Sequence, residues 1–421
     1  IALLLATTAC SMVPDYQAPR VETPTAWSSP VNAQAAPIQS DWWTSFNNTT
    51  LNGLEIQALS GNTDLAASLA RIDQARASLK IARGGLLPSV GADVALSSNI
   101  TTNASDGSDW RGGLSLSYET DLFGSVRAQV AAAQAGVQAS QYDRDALALV
   151  VAGDVARGYF TLVNLRERLA IADQNIANAS EILRIVQVRQ SAGAVSPLEV
   201  AQQQSAVSSA QAARTALAQQ ENAAANALSV LLGKPPQGQS FTGASLSDVT
   251  IPGIATGVPS DVLRQRPDIA RSEAQLVAAN ADIGAARAAL YPSLSLSAGG
   301  NHGASFGDPA ASALSLAASL AAPIFLGGRL EGGVEQATAR QQELIAAYHG
   351  TVLTSFKEVE DALTAVNAAQ IRESQLATAA QSAQDSYRLS RVRFDAGAID
   401  FQTLLDAPLY LHVPRRESVA L

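Results

Sequence analysis

A single cysteine, Cys10, stands among 421 residues, so no internal disulfide can close. Aromatic residues make up only 5% and charged residues only 15%, although hydrophobic residues reach 47%. A large globular enzyme fills its core with more aromatic volume than this. The three histidines, His302, His349 and His412, lie far apart and without metal-ligand spacing. Neither a nucleophile-elbow serine motif nor a phosphate-cradling loop is present, and no catalytic or metal-binding set emerges. The glycines of Gly327-Gly328-Arg329 and Gly332-Gly333 fall at a strand-to-helix junction and are read as permitting a tight bend. Basic residues form no cluster before the last few positions, and the net charge of −9 opposes a nucleic-acid partner. No apolar run reaches the roughly 18 to 20 residues expected of a membrane-spanning helix.

What is present points outward from the cell. The run Ile1-Ala-Leu-Leu-Leu-Ala6 reads as part of a secretory signal peptide over residues 1–9, cut before Cys10. A lone thiol at that place predicts covalent lipid, a diacylglycerol and an acyl chain, on Cys10, with no other cofactor. Thr7 stands where such signals usually carry Leu, and Ser11 after the cysteine is compatible with sorting to the outer membrane. A lipid-anchored segment then covers residues 10–50.

The rest of the chain repeats itself. Arg83-Gly-Gly-Leu-Leu-Pro-Ser89 aligns with Arg287-Ala-Ala-Leu-Tyr-Pro-Ser293, 204 residues later. Ala192-Gly-Ala-Val195 aligns with Ala396-Gly-Ala-Ile399 at the same spacing, and Arg184, Val188 and Arg189 keep register with Arg388, Val392 and Arg393. Two copies at one fixed offset mark a tandem duplication, residues 51–232 and 260–407, joined by the Pro- and Gly-rich connector 233–259. Within each copy the order is helix, two strands, long helix, turn, helix. Leu54, Ala58, Leu65, Leu69, Ile72 and Leu79 predict one helix over Leu51–Leu86, stopped by Pro88, as Pro292 stops its counterpart. No proline interrupts Val126–Gln190, which as a helix is on the order of 95 Å long. Gly333–Phe394 repeats it. At the tips, Gly193 and Gly397 end helices, and Ser196-Pro197-Leu198-Glu199 offers an N-cap, a first-turn proline and a capping-box glutamate. Asp400 can cap the helix after the second tip. Plain hairpin geometry accounts for these residues as readily as a functional role.

After each proline the period changes to two. Val90, Ala92, Val94 and Leu96, then Leu114, Leu116 and Tyr118, alternate with small and polar residues. Leu294, Leu296 and Ala298, then Leu314, Leu316 and Leu320, do the same in the second copy. Strands are expected near 88–101, 110–123, 292–301 and 312–325. Strands of about 9 to 11 residues with one apolar face suit a transmembrane barrel. A soluble sheet packed on a helix shares the alternation and is the competing reading. Four strands cannot close a barrel, since the smallest have about 8, and open edges are forbidden in lipid. The barrel must be shared, two chains giving eight strands and three giving twelve.

These residues resemble the NodT-type outer membrane factor lipoproteins of the TolC superfamily. The resemblance is carried by Pro14-Asp-Tyr-Gln-Ala-Pro19, by Asp41-Trp-Trp-Thr-Ser-Phe46 with Leu51 and Leu54, and by Arg266-Pro-Asp-Ile269 through Glu273, Ala278-Ala-Asn-Ala281 and Ala285-Ala-Arg287 to Tyr291-Pro-Ser293. It implies a mixed, mainly α fold: a homotrimer with a twelve-stranded β-barrel on a long periplasmic α-helical barrel. It further implies a passive exit duct for multidrug or small-molecule efflux, with outer-membrane lipids, a periplasmic adaptor and an inner-membrane pump, often of the resistance–nodulation–division type, as partners. The family's gate residue follows the second tip in a Leu-Leu-Asp-Ala pattern. Leu404-Leu-Asp-Ala407 matches it, which points to Asp406, with Asp400 and Gln402 beside it at the periplasmic gate. Three symmetry-related carboxylates there would attract cations. The tail 408–421 departs from the pattern: Pro408 opposes a helix, and the family's last helix is missing, as a frameshift or a truncated gene would leave it. A type I protein-secretion duct and a structural coiled-coil envelope protein remain alternatives, the second leaving the strands unexplained.

Overall fold

The computed structural model describes residues 11–28, 36–37, 40–99, 107–241, 245–246, 249–255, 258–305, 309–399 and 403. In chain order the elements are β1 (Ala36–Pro37), a 3-10 turn (Trp42–Phe46), α1 (Thr49–Gly61), α2 (Thr63–Gly84), β2 (Ser89–Asn99), β3 (Gly107–Thr120), α3 (Ser125–Ser191) and α4 (Pro197–Leu231). They continue as β4 (Ile254–Ala255), α5 (Pro259–Gln265), α6 (Pro267–Ala288), β5 (Ser293–Ser305), β6 (Ala311–Ala321) and α7 (Arg329–Asp395). The chain divides into two compact units. One takes its described residues from Ile1–Glu22, Ser68–Asp145 and Leu263–Thr354, the other from Thr23–Ala67, Ala146–Val262 and Ser355–Leu421.

The expected helix over Leu51–Leu86 is two helices, because Asn62 interrupts it. Asn62 has an extended ψ of 129° and serves both ends: its N–H donates to Ala58 O, closing α1. Its Oδ1 accepts from the N–H groups of Asp64 and Leu65, opening α2. Its Nδ2 donates to Leu231 O at 2.9 Å, which pins the break to the end of α4. An apolar spacing carried through 62 could not show this, whereas Gly61-Asn62-Thr63-Asp64 is itself a stop-and-cap sequence. α3 and α7 each run 67 residues and begin 204 residues apart, each about 100 Å long.

The second unit holds a hydrophobic core. Trp43, Leu51, Leu54 and Ala58 pack against Val151, Val155, Tyr159, Phe160, Leu162 and Val163 of α3, and against Leu228 and Leu232 at the end of α4. Contrary to the sequence expectation, α3 contains an 18-residue window apolar enough to cross a membrane, with mean hydropathy 1.5. Its apolar run Val151–Val163 supplies this core instead. The buried Tyr159 hydroxyl donates to Asn48 Oδ1, which also caps α1 by accepting from Leu51 N–H. Arg166 pairs with Glu221 at 2.9 Å and donates to the Phe241 carbonyl, while Glu167 accepts from Ser245 Oγ and Leu246 N–H. These bonds tie the connector to α3 and α4.

A buried carboxyl there is unsatisfied. Glu55 has no exposed surface, and neither carboxylate oxygen has a hydrogen-bond partner among the described residues. Its neighbour Ile56 is 65% exposed, so polarity and burial are inverted at adjacent positions. Burial pushes the Glu55 carboxyl up to about 8 from 4.5. The folded chain therefore keeps a proton that the unfolded chain has lost, and stability falls as pH rises from about 4.5 to about 8. Glu55→Leu should raise the melting temperature at pH 8 while changing it little at pH 5, a differential on the order of a few kcal/mol. Thermal unfolding of the detergent-extracted protein, followed by helical circular dichroism, tests this. Equal shifts at both pH values would show that Glu55 does not titrate in this window.

Candidate functional site

In the first unit, β2, β3, β5 and β6 form one antiparallel sheet in the order β2-β3-β5-β6. The pairing aligns like with like across all four strands. One row runs Ala92, Leu114, Gly300, Leu314, and the next row of the same face runs Val90, Leu116, Ala298, Leu316. Even-numbered residues share this apolar face. Odd-numbered residues share the other, built of Ser, Gly, Ala and Asn with every charged residue of the strands: Asp93, Asp109, Arg111 and Glu119. Asp93 lies over Gly113, where an added Cβ would meet its Oδ1 at 2.9 Å.

Among the described residues, no element of the unit covers the apolar face. Val94 is 80% exposed, Leu96 83%, Leu314 80% and Leu316 78%. This overturns the competing soluble-sheet reading, which requires a helix packed on that face. In water, such a contiguous apolar surface would not persist uncovered. Aromatic residues mark both ends of the face: Trp110 packs edge-on to His302 at 5.5 Å at the loop end, and Phe123 stacks on Tyr291 at 4.7 Å at the helix end. Aromatic girdles of this kind border the apolar band of outer-membrane barrels. His302 Nδ1 lies 2.9 Å from Ser312 Oγ, so the one imidazole on the apolar face has a partner.

The sheet passes into the helices through a side-chain cap. Asp121 accepts from the N–H groups of Val126 and Arg127 and from Arg127 Nε at 3.0 Å. Gly124 and Gly328, with φ of 77° and 81°, occupy equivalent places before α3 and α7. In the same unit the segment after Cys10 lies on α6. Asn280 Nδ2 donates to Pro14 O at 2.6 Å, and Gln341 donates to Asn280 Oδ1. Gly284 is required there, because a Cβ would come within 2.7 Å of Val13 Cα. The Tyr16 hydroxyl is buried without a partner among the described residues, and burial, with Glu273 nearby, pushes it up to about 12.

The hairpin tips lie in the second unit. Gly193 and Gly397 both have φ of 72°. Ala194 N–H returns to Arg189 O, and Ala398 N–H returns to Arg393 O, the bond that closes a helix through a left-handed glycine. Ser196 Oγ accepts from Leu198 N–H, Ser196 N–H donates to Glu199 Oε2, and Pro197 is the first residue of α4. The Ser196 hydroxyl bond holds the Glu199 carboxyl below its ordinary range. The Arg189 guanidinium sits 5.1 Å over the Phe394 ring, so the structure brings the two tips together. Cys10, Asp400, Gln402, Asp406 and the tail from 408 lie outside the described residues. Sequence reasoning missed Asn62, Glu55, Arg166 and Gly284. Of these, only Asn62, preceded by Gly and followed by Thr-Asp, carried a local signal.

This bare amphipathic sheet, joined to paired 67-residue helices, also occurs in known proteins. A relative in Pseudomonas aeruginosa, pyoverdine export outer membrane protein OpmQ, is 36% identical over 397 residues, spanning 90% of this chain and 83% of that protein. The Campylobacter jejuni CmeC outer membrane channel superposes with a TM-score of 0.86 at 28% identity, covering 98% of this chain and 90% of the other. The open state of the Neisseria gonorrhoeae MtrE outer membrane channel gives 0.86 at 29% identity, covering 98% and 93%. Residues 56–234 and 258–412 match the model of one family, described as outer membrane efflux protein. The chain therefore belongs to the outer membrane efflux proteins, a family of TolC-like channels of the outer membrane.

Proposed function

We propose that three copies of this chain close one twelve-stranded barrel and form the exit duct of a tripartite small-molecule efflux system. One observation carries the reading: the exposed apolar sheet face, with all strand charges on the opposite side. Lipid is the solvent that such a face requires, and it forbids open strand edges. Two copies would give eight strands, and the interior of a barrel that size is filled by its own side chains. Three give a wider lumen, lined here mainly by Ser, Gly and Ala. The duct is passive, and the paired tips around Gly193 and Gly397 are where a periplasmic adaptor docks and couples it to an inner-membrane pump. Cys10 carries the lipid anchor. Asp406, with Asp400 and Gln402, narrows the periplasmic mouth. Export of small molecules is favoured over protein secretion by the relative that exports pyoverdine.

In mild detergent the protein should run at about three times its 43.5 kDa protomer mass, and intact mass spectrometry should find acyl chains on Cys10. A monomer that stays soluble without detergent would sink the shared barrel. Replacing Asp406 with alanine should raise the conductance of the resting channel severalfold in planar bilayers, as trimming three side chains that narrow the mouth widens the path there. Unchanged conductance would remove Asp406 from the gate.

A further inference from the structure

The charged face of the sheet carries mostly small side chains, and one residue departs from that. Arg111 on β3 stands opposite Ala95 on β2 and Gly303 on β5, and Gly303 pairs in turn with Ala311 on β6. Nothing else in that row extends past a Cβ. Along β3 its neighbours on the same face are Asp109 and Gly113, and Asp93 lies over Gly113. Arg111 is the one arginine or lysine of the four strands, and it is set among their aspartates. Arg127, in the first turn of α3, is pinned to Asp121 at 3.0 Å. Arg111, by contrast, is exposed and makes no ion pair among the described residues.

We infer that Arg111, presented by every copy at one height of the closed barrel, makes the loop end of the lumen attract anions, so that solutes bearing carboxylate or phosphate groups are favoured there. The inference rests on the shared-barrel reading and adds a solute class to it. Radial position decides the sign of the field. Twelve strands spaced about 4.8 Å apart and tilted by about 40° enclose a backbone cylinder of roughly 12 Å radius. The carboxylates of Asp93 and Asp109 end one carbon beyond Cβ and stay at that wall, Asp93 against Gly113. The Arg111 stem, unobstructed by its row, carries its guanidinium about halfway to the axis. Screening confines each charge to about 8 Å at physiological salt, so on the axis the nearer guanidiniums outweigh the more numerous carboxylates. A guanidinium also matches the paired oxygens of carboxylate and phosphate in a way that an ammonium does not.

Reaction rates at a reporter thiol read this field locally, because water-borne reagents enter the lumen from the loop end whatever the state of the periplasmic mouth. Ala95→Cys places a thiol opposite Arg111. In isolated outer membranes it is treated with an anionic (sulfonatoethyl) or a cationic (trimethylammonioethyl) methanethiosulfonate. The unsubstituted protein, whose single cysteine is Cys10, sets the background. Adding Arg111→Gln should lower the anionic-to-cationic rate ratio about tenfold, as removal of a charge within a screening length does. Arg111→Lys should keep most of the ratio, which a merely structural role would not require. Val94→Cys, on the lipid face, should stay unmodified by either reagent. A ratio that Arg111→Gln leaves unchanged, or that Arg111→Lys lowers just as far, overturns the inference and leaves the shared barrel standing. No reaction of Ala95→Cys with either reagent overturns the lumen face itself, and the shared barrel with it.

Discussion

Peptide groups at a strand edge have no water to turn to inside a bilayer, and the rest of this molecule is arranged around that constraint. The sheet of β2, β3, β5 and β6 satisfies its interior ladders within one chain and leaves two edges without a strand partner among the described residues. Each unpaired peptide group would cost several kcal/mol in hydrocarbon. An open sheet of four strands is therefore a fragment of a closed object. The bare apolar face says the same thing independently, because leucines and valines exposed at about four-fifths of their area have no place in water as a contiguous patch. Edge and face make two demands, one for more strands and one for lipid, and a closed barrel in the outer membrane meets both.

Duplication is the economical way to meet them. A barrel assembled from identical pieces needs its inner junctions and its seams to be geometrically interchangeable. The fixed offset of 204 residues delivers this down to individual strand pairs, and it persists into the equal lengths of α3 and α7. Long helices of Ala, Gln and Ser then let neighbouring backbones approach closely without large side chains between them. The scarcity of aromatic residues belongs to this architecture. Those present concentrate where a thick core or a membrane boundary needs them, at Trp43, Tyr159 and Phe160 in one unit and at Trp110, Phe123 and Tyr291 in the other.

Much of this was legible in the sequence because it is periodic. Alternation in Val90–Leu96 and Leu114–Tyr118 depends only on which face meets lipid, and the left-handed turns at Gly193 and Gly397 depend only on the glycine and its neighbours. The break at Asn62 was hidden because the apolar spacing of Leu54, Ala58, Leu65 and Leu69 continues across it, while the bond to Leu231 that fixes it is 169 residues away. Glu55 was unreadable for the opposite reason. Its carboxylate sits where the pattern of burial wants an apolar residue and its neighbour Ile56 sits where a polar one belongs, so local polarity misleads at both positions. The apolar stretch of α3 was undervalued because Asp154 and Arg157 dilute it. In the folded chain these two pair with each other at 2.7 Å on the exposed side, leaving the other face free to fill the core. Gly284 could not be singled out among 29 glycines, since its need is created by Val13, which arrives from the far end of the chain.

The same reasoning separates what holds a single chain together from what holds the assembly. The core around Tyr159, with its caps at Asn48 and Asn62 and the Arg166–Glu221 pair, draws its packing and caps from one chain, although the Glu55 carboxyl in it has no partner among the described residues. The sheet is different: its hydrogen bonds at both edges and its cover on one face come from outside. A sheet that cannot be satisfied within one chain implies an order of events. The helices and their connector can form in water, whereas the strands reach their final state only as seam, neighbour and lipid arrive together. The exposed edges with almost no charge, which would be an aggregation hazard in a soluble protein, are then the feature that drives closure.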